Sequence, residues 1–86
     1  MNALRRAEVE GTCLRIYRET LDAPGLDPAD DFAGAGGDSI KAVLITTELE
    51  AAFGVEVAMR TFFEKASVRE MADWLCEALS RAEGTR

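Results

Sequence analysis

The sequence predicts a small all-α bundle of three longer helices and one short one, with a long loop after the first. Three observations carry this expectation. Apolar residues recur at helical spacing in three separate stretches, Val9 to Leu21, Ser39 to Phe53 and Val68 to Leu79. Val55-Glu56-Val57 alternates like a strand but has no partner strand in the chain, so it reads as an extended connector. A chain of 86 residues buries only roughly 60% of its unfolded surface, which makes one thin core and leaves too little to surround a large active-site cleft. We expect one domain over residues 1–86, with its core over about 9–80 and a short polar C-terminal tail.

The first helix is expected from about Asn2 to Leu21. Val9, Cys13, Ile16 and Thr20 follow i, i+4, i+7, i+11, flanked by Tyr17 and Leu21, and Arg15, Arg18 and Glu19 take the opposite, surface face. Gly11 weakens the middle of it by about 1 kcal/mol. Asp22-Ala23-Pro24-Gly25 ends it, and the chain from there to Asp38 holds both prolines, four glycines and no sustained period. Asp27-Pro28-Ala29-Asp30 can nucleate a single turn, and Phe32 is the expected anchor in the core. At roughly 16 residues this connection is longer than most in small domains, and such loops are usually functional or disordered.

The second helix opens at Ser39, after Gly36-Gly37-Asp38, with Asp38 as its N-cap. It carries two apolar stripes. Ala42, Ile45, Leu49, Ala52 and Phe53 would face the core, while Ile40, Val43, Leu44 and Thr47 form a second stripe rotated from the first. Gly54 is the C-cap. Met59 to Lys65 suffices for a short helix that drops Phe62 or Phe63 into the bundle. Ser67-Val68-Arg69-Glu70 is a capping box opening a last helix, with Val68, Met71, Ala72, Leu75 and Leu79 on one face, Trp74 at its edge, and fraying near Arg81.

Composition narrows the function. Hydrophobic residues at 48% beside 30% charged suit a folded domain and not a disordered tail. With no histidine, a Ser-His-Asp triad, a Cys-His pair and imidazole zinc sites are unavailable. Cys13 and Cys76 lack metal spacing and read as free core cysteines, so neither a metal site nor a catalytic residue is expected. No apolar run approaches the ~18 residues of a membrane helix, and Met1 to Arg6 lacks the apolar stretch of a signal peptide, so we expect a cytoplasmic protein without a membrane partner.

The net charge of −6 is local. Glu19, Asp22, Asp27, Asp30, Asp31 and Asp38 stand in a stretch without Lys or Arg, and the rest of the chain sums to zero. This disfavours nucleic acid and favours basic protein surfaces, although each Asp can equally serve a turn or a cap. A helix start favours an anionic group such as a phosphate ester. From the residues alone, then, Ser39 either simply opens its helix or is a covalent attachment point.

Asp30-Asp31-Phe32, Gly36-Gly37-Asp38-Ser39-Ile40, Phe53-Gly54-Val55 and Phe62-Phe63-Glu64, in this order from about Cys13 to Leu75, resemble the acyl and peptidyl carrier proteins of thiotemplate assembly lines. The Gly-Gly-Asp-Ser form looks most like the peptidyl or aminoacyl carriers of nonribosomal peptide synthesis. The resemblance implies that a phosphopantetheinyl transferase attaches the 4′-phosphopantetheine of coenzyme A to Ser39, supported by Gly36, Gly37 and Asp38. It implies that the arm holds an amino acid or acyl group as a thioester. Ile40, Lys41, Val43, Leu44 and Thr47 would then meet an adenylation enzyme or domain and the condensation, tailoring or other thioester-using enzymes, with Lys41 placed to pair with the phosphodiester. Such a carrier is non-catalytic and monomeric. The alternatives are an acyl carrier of a polyketide or fatty acid pathway, and a helical adaptor without a prosthetic group; a hydrolase using Ser39 would lack a base. Related carriers often have Phe-Phe-x-Leu where this chain has Phe32-Ala33-Gly34-Ala35, so the loop is expected to be pinned less firmly. From Met1 at the start and the short tail ending at Arg86 we expect a free-standing carrier, although a domain excised from a larger synthase with an added Met would look the same.

Overall fold

Apolar periodicity organises the chain as four helices in the computed structural model, which describes residues 3–84. Helix α1 spans Ala3–Leu21, α2 Ser39–Phe53, α3 Met59–Glu64 and α4 Val68–Gly84. Asn2, and Thr85 and Arg86 of the expected tail, lie outside the described residues. Among those described there is no strand, only an isolated antiparallel bridge between Asp31 and Ser67. Helix α1 packs against both α4 and α2, and α3 packs on α2.

The inner face of α1 is Val9, Cys13, Ile16, Tyr17 and Leu21, all buried. The helix stops where Asp22 takes a left-handed φ of 53° and the Ala23 N–H bonds back to the Arg18 carbonyl at 2.9 Å. Arg18, expected on the surface face, is half-buried. Its guanidinium donates from Nη2 and Nε to the Leu26 carbonyl at 2.7 and 3.0 Å, satisfying a loop acceptor just where Leu26 enters the core. Leu26 stands alone between two prolines, so no period marked it.

Between α1 and α4, Arg6 donates to Asp73 Oδ1 at 2.7 Å and to the Arg69 carbonyl at 3.2 Å. Cys13 and Cys76 are free and buried. Burial pushes the Cys13 thiol up to about 12, so it stays protonated and packs as a small hydrophobe.

Residues 22–38 are held by the buried Leu26 and Phe32 and by a set of polar contacts. The Phe32 N–H bonds the Ala66 carbonyl at 2.7 Å and the Arg69 N–H bonds that of Pro28 at 2.9 Å, tying the loop to the start of α4. Asp27 Oδ1 accepts from the Ala29 N–H, Asp30 Oδ2 from Asp27 and Asp31 Oδ2 from Gly34. With alanines at 33 and 35, the pinning falls on these bonds and on Phe32, which is buried as expected.

In α2, Ala42, Ile45 and Leu49 are buried and Phe53 is half-buried, but Ala52 is exposed. At 3.6 residues per turn Ala52 lies roughly 80° round from Ala42, at one margin of the stripe and in the last turn of the helix, while Thr46, roughly 40° round on the other side, is buried. Thr46 is acceptable there because its hydroxyl donates to the Val43 carbonyl at 3.0 Å. Gly54 closes the helix at φ 69°, and its N–H bonds the Glu50 carbonyl at 2.8 Å.

Of the neighbouring pair on α3, Phe62 enters the core and Phe63 stays outside. Ser67 caps α4 by accepting from the Glu70 N–H at 3.2 Å. Val68, Met71, Ala72, Leu75 and Cys76 are buried, with Trp74 and Leu79 half-buried. The helix passes Arg81 and runs to Gly84, because Ala78 to Glu83 contains good helix formers and no breaker.

Gly11 is exposed in mid-helix, and nothing lies within 4 Å of where a Cβ would stand. Gly11→Ala should therefore raise stability by about 1 kcal/mol, read in a thermal melt as a Tm increase of roughly 4–8 °C; a lower Tm would show that the position has a contact partner.

Candidate functional site

The site is the junction between the acidic loop and α2. Gly36 takes φ 96°, a conformation that costs an L side chain energy, and its N–H bonds the Ala33 carbonyl at 3.2 Å. The next N–H, of Gly37, bonds the Phe32 carbonyl at 3.0 Å. Asp38 is extended, at φ −143° and ψ −178°, and is the N-cap: Oδ1 accepts from the Lys41 N–H at 2.8 Å, and its carbonyl accepts from Ala42 at 2.9 Å.

Ser39 is the first residue of α2 and is exposed. Its hydroxyl makes no hydrogen bond within the described residues, and the N–H groups of Ser39 and Ile40 likewise have no acceptor there. The cap thus uses one free donor of the helix start and leaves two, at the positive end of the helix dipole, beside an unengaged hydroxyl. Lys41 Nζ donates to the Gly36 carbonyl at 3.3 Å, which keeps its ammonium over the glycine turn. An accessible hydroxyl, two free N–H donors and a nearby cation fit a phosphodiester.

The second stripe of α2 faces outward. Ile40 is 73% exposed, Val43 52% and Leu44 53%. Thr47 is exposed too, its hydroxyl donating to the Val43 carbonyl at 2.8 Å. By helical geometry these four residues cluster roughly 150° round from Ala42, so the two stripes lie on nearly opposite sides. Phe63, 52% exposed, adds an aromatic to the surface; its ring stands edge-on to Phe32 at 6.4 Å and to Phe62 at 5.7 Å. By sequence, Phe62 and Phe63 are equivalent core candidates. Adjacent helical residues point about 100° apart, and in α3 Phe62 takes the inward direction and Phe63 the outward one, a choice set by packing that neither residue's neighbours in sequence announce.

The sequence profile described as "Phosphopantetheine attachment site" matches residues 14–75. The chain belongs to this family. Family members carry a covalent 4′-phosphopantetheine and act as carriers, not as enzymes, modified by a phosphopantetheinyl transferase. The chain is 36% identical over 76 residues to polyketide synthase PksN of Bacillus subtilis and 30% identical over 73 residues to a linear gramicidin synthase of Brevibacillus parabrevis. These matches cover 88% and 85% of this chain but 1% of each relative, so the chain spans a small fraction of the synthases' length. Among solved structures, BlmI, a type-II acyl-carrier-protein from Streptomyces verticillus involved in bleomycin biosynthesis, is similar with a TM-score of 0.85 and 34% identity. That likeness covers 88% of this chain and 92% of BlmI. The four-helix carrier fold and the carrier role therefore hold for this protein. No helix among the described residues is long and apolar enough to cross a membrane.

The cap can be tested without touching the serine. Asp38→Ala removes the acceptor for the Lys41 N–H and should cost about 1 kcal/mol in chemical denaturation, with Asp38→Asn retaining most of that stability; equal losses for both would assign the effect to charge and not to capping.

Proposed function

We propose that Ser39 is the residue that bears the phosphopantetheine, in a peptidyl or aminoacyl carrier comprising residues 1–86. The observation that carries this reading is the exposed, unbonded Ser39 hydroxyl at a capped helix start with free N–H donors. In the modification, the Ser39 Oγ attacks the pyrophosphate of coenzyme A. A P–O bond forms to the pantetheine half, the nucleotide half leaves, and the hydroxyl proton passes to a base of the transferase. The attached arm supplies a terminal thiol that holds the cargo as a thioester. This chain positions the hydroxyl, while Lys41 and the free N–H groups of Ser39 and Ile40 stand where they favour the ester's negative charge.

Ile40, Val43, Leu44 and Thr47, with Lys41 at their margin, form the docking face for the transferase, for an adenylation enzyme or domain, and for condensation, tailoring or other thioester-using enzymes. Support comes from the exposure of three large apolar residues on one helix of a small domain. The acidic stretch before them favours basic partner surfaces. The gramicidin synthase relative and the Gly-Gly-Asp-Ser sequence favour an aminoacyl cargo; PksN and the acyl-carrier-protein BlmI support a polyketide-type acyl cargo as the second reading. We place the carrier in the cytoplasm, as a monomer.

Incubation of the full chain with coenzyme A, magnesium and a broad-specificity phosphopantetheinyl transferase should add one phosphopantetheine by intact mass, and Ser39→Ala should add none. An unchanged mass with both that transferase and a dedicated one would remove the attachment reading. Loading the product with an adenylating enzyme, against a malonyl or acyl transferase, then separates the two cargo classes. Val43→Asp or Leu44→Asp should slow modification or loading about tenfold or more, as loss of a buried apolar contact on binding does, with Tm within a few degrees of wild type; a large drop in Tm would place them in the core instead.

A further inference from the structure

Gly36 and Gly37 are adjacent, yet the fold needs them for different reasons. At Gly36 the backbone is the constraint: φ is 96°, and nothing lies within 4 Å of where a Cβ would stand. Gly37 lies outside the left-handed region, so its backbone would accept alanine. What excludes a side chain there is one ring. A Cβ on Gly37 would come within 2.6 Å of Phe32 Cε1, and nearer still to Cζ and Cε2.

That ring has little freedom to yield. Phe32 is buried, its N–H is tied to the Ala66 carbonyl at 2.7 Å, and its ring meets Phe62 edge-on at 4.9 Å and Tyr17 at 6.3 Å. The Gly37 N–H in turn bonds the Phe32 carbonyl at 3.0 Å, so one residue holds Gly37 by both its backbone and its ring. The loop on the other side is exposed at Gly36, Asp38 and Ser39. Of the two bodies pressed together, the loop is the one that would move.

We infer that Phe32 is a positioning residue for the modification of Ser39: its ring, seated against the bare Cα of Gly37, sets where the loop delivers Asp38 and Ser39 to the start of α2. This rests on the reading that Ser39 is the attachment residue. It assigns the second glycine a steric role toward Phe32, and it links the placement of the serine, two residues on, to the aromatic cluster between α1 and α3.

The test compares wild type, Gly37→Ala, Phe32→Leu and the double variant, as full chains. Each is assayed for kcat and KM of modification by the broad-specificity transferase with coenzyme A and magnesium, and for Tm. Gly37→Ala should lose about tenfold or more in kcat, as small displacements of a reacting group do, with KM little changed because Ile40, Val43 and Leu44 are intact. Leucine lacks the ring atoms that meet the new methyl, so Phe32→Leu/Gly37→Ala should return to within about threefold of Phe32→Leu, a coupling expected only of residues in contact. The double variant should also melt below Gly37→Ala, since it loses a core aromatic. Faster modification in a less stable protein is an outcome that a merely structural role would not produce.

A wild-type rate for Gly37→Ala, or a double variant no faster than Gly37→Ala, would overturn the inference while leaving Ser39 as the attachment residue. Should Gly37→Ala fail to fold, the double variant against Phe32→Leu decides alone: a rate within about threefold of Phe32→Leu supports the contact and a slower one refutes it. Modification of Ser39→Ala, or none of wild type, would instead sink the attachment reading, and this inference with it.

Discussion

The burial of Phe32 is the constraint on which the loop, the short helix and the start of α2 all depend. Its ring joins Tyr17 of α1 and Phe62 of α3 in one cluster, where Tyr17 and Phe62 are stacked at 5.9 Å and Phe32 stands edge-on to both. Fully burying an aromatic of this size stabilises by about 1.5–3 kcal/mol, and each aromatic pair adds about 0.5–1.5 kcal/mol. In a domain with one thin core, such contacts decide whether a long glycine-containing connection is ordered at all. The cluster also has a cost. The Tyr17 hydroxyl is buried with no hydrogen-bond partner among the described residues, a penalty of about 1–3 kcal/mol. Burial also pushes its pKa upward, so it stays neutral. The ring contacts offset that penalty.

Around this anchor the loop is shaped by short-range polar chemistry. Asp27, Asp30, Asp31 and Asp38 each accept a backbone N–H, and Asp22 turns the chain in a left-handed conformation. The sequence allowed two readings of these residues, as turn formers or as a charged surface. The structure shows that one does not exclude the other. All five are exposed while they serve the turns, so the side chains that fold the loop also concentrate negative charge before Ser39.

What the sequence made legible was whatever repeats. The inner faces of α1, α2 and α4 followed from spacing and the Asp38, Gly54 and Ser67 caps from residue chemistry, while spacing marked the second stripe of α2 and the family resemblance assigned it outward. The features that escaped are single placements that follow no repeat, even where the partners are only a few residues apart in the chain. Leu26 is drawn inward beside the Arg18 guanidinium, so neither residue obeys the period of its own neighbourhood. Ala52 fits the inner stripe by counting but sits at its margin by angle. The demand that Phe32 makes on Gly37 depends on tertiary packing, which no local pattern encodes. Glycine at that position looks like a request for backbone freedom, and the backbone there does not use it.

The second helix shows why a carrier with so small a core can still present a defined site. Its two apolar stripes lie on nearly opposite sides, so packing Ala42, Ile45 and Leu49 fixes the helix without covering Ile40, Val43 or Leu44. At its start, the Asp38 side chain satisfies the Lys41 N–H and reaches no further, leaving the donors of Ser39 and Ile40 and the serine hydroxyl open. An arm attached there would raise the effective concentration of its cargo at each partner's active site, provided the arm spans the distance. Flexibility belongs in the arm and not in its root, since a wandering root would present the hydroxyl to the modifying enzyme in many orientations. A capped helix end, braced through Gly37 by a buried ring, meets both requirements: the backbone under the serine is held from behind, and nothing within the described chain competes for its hydroxyl.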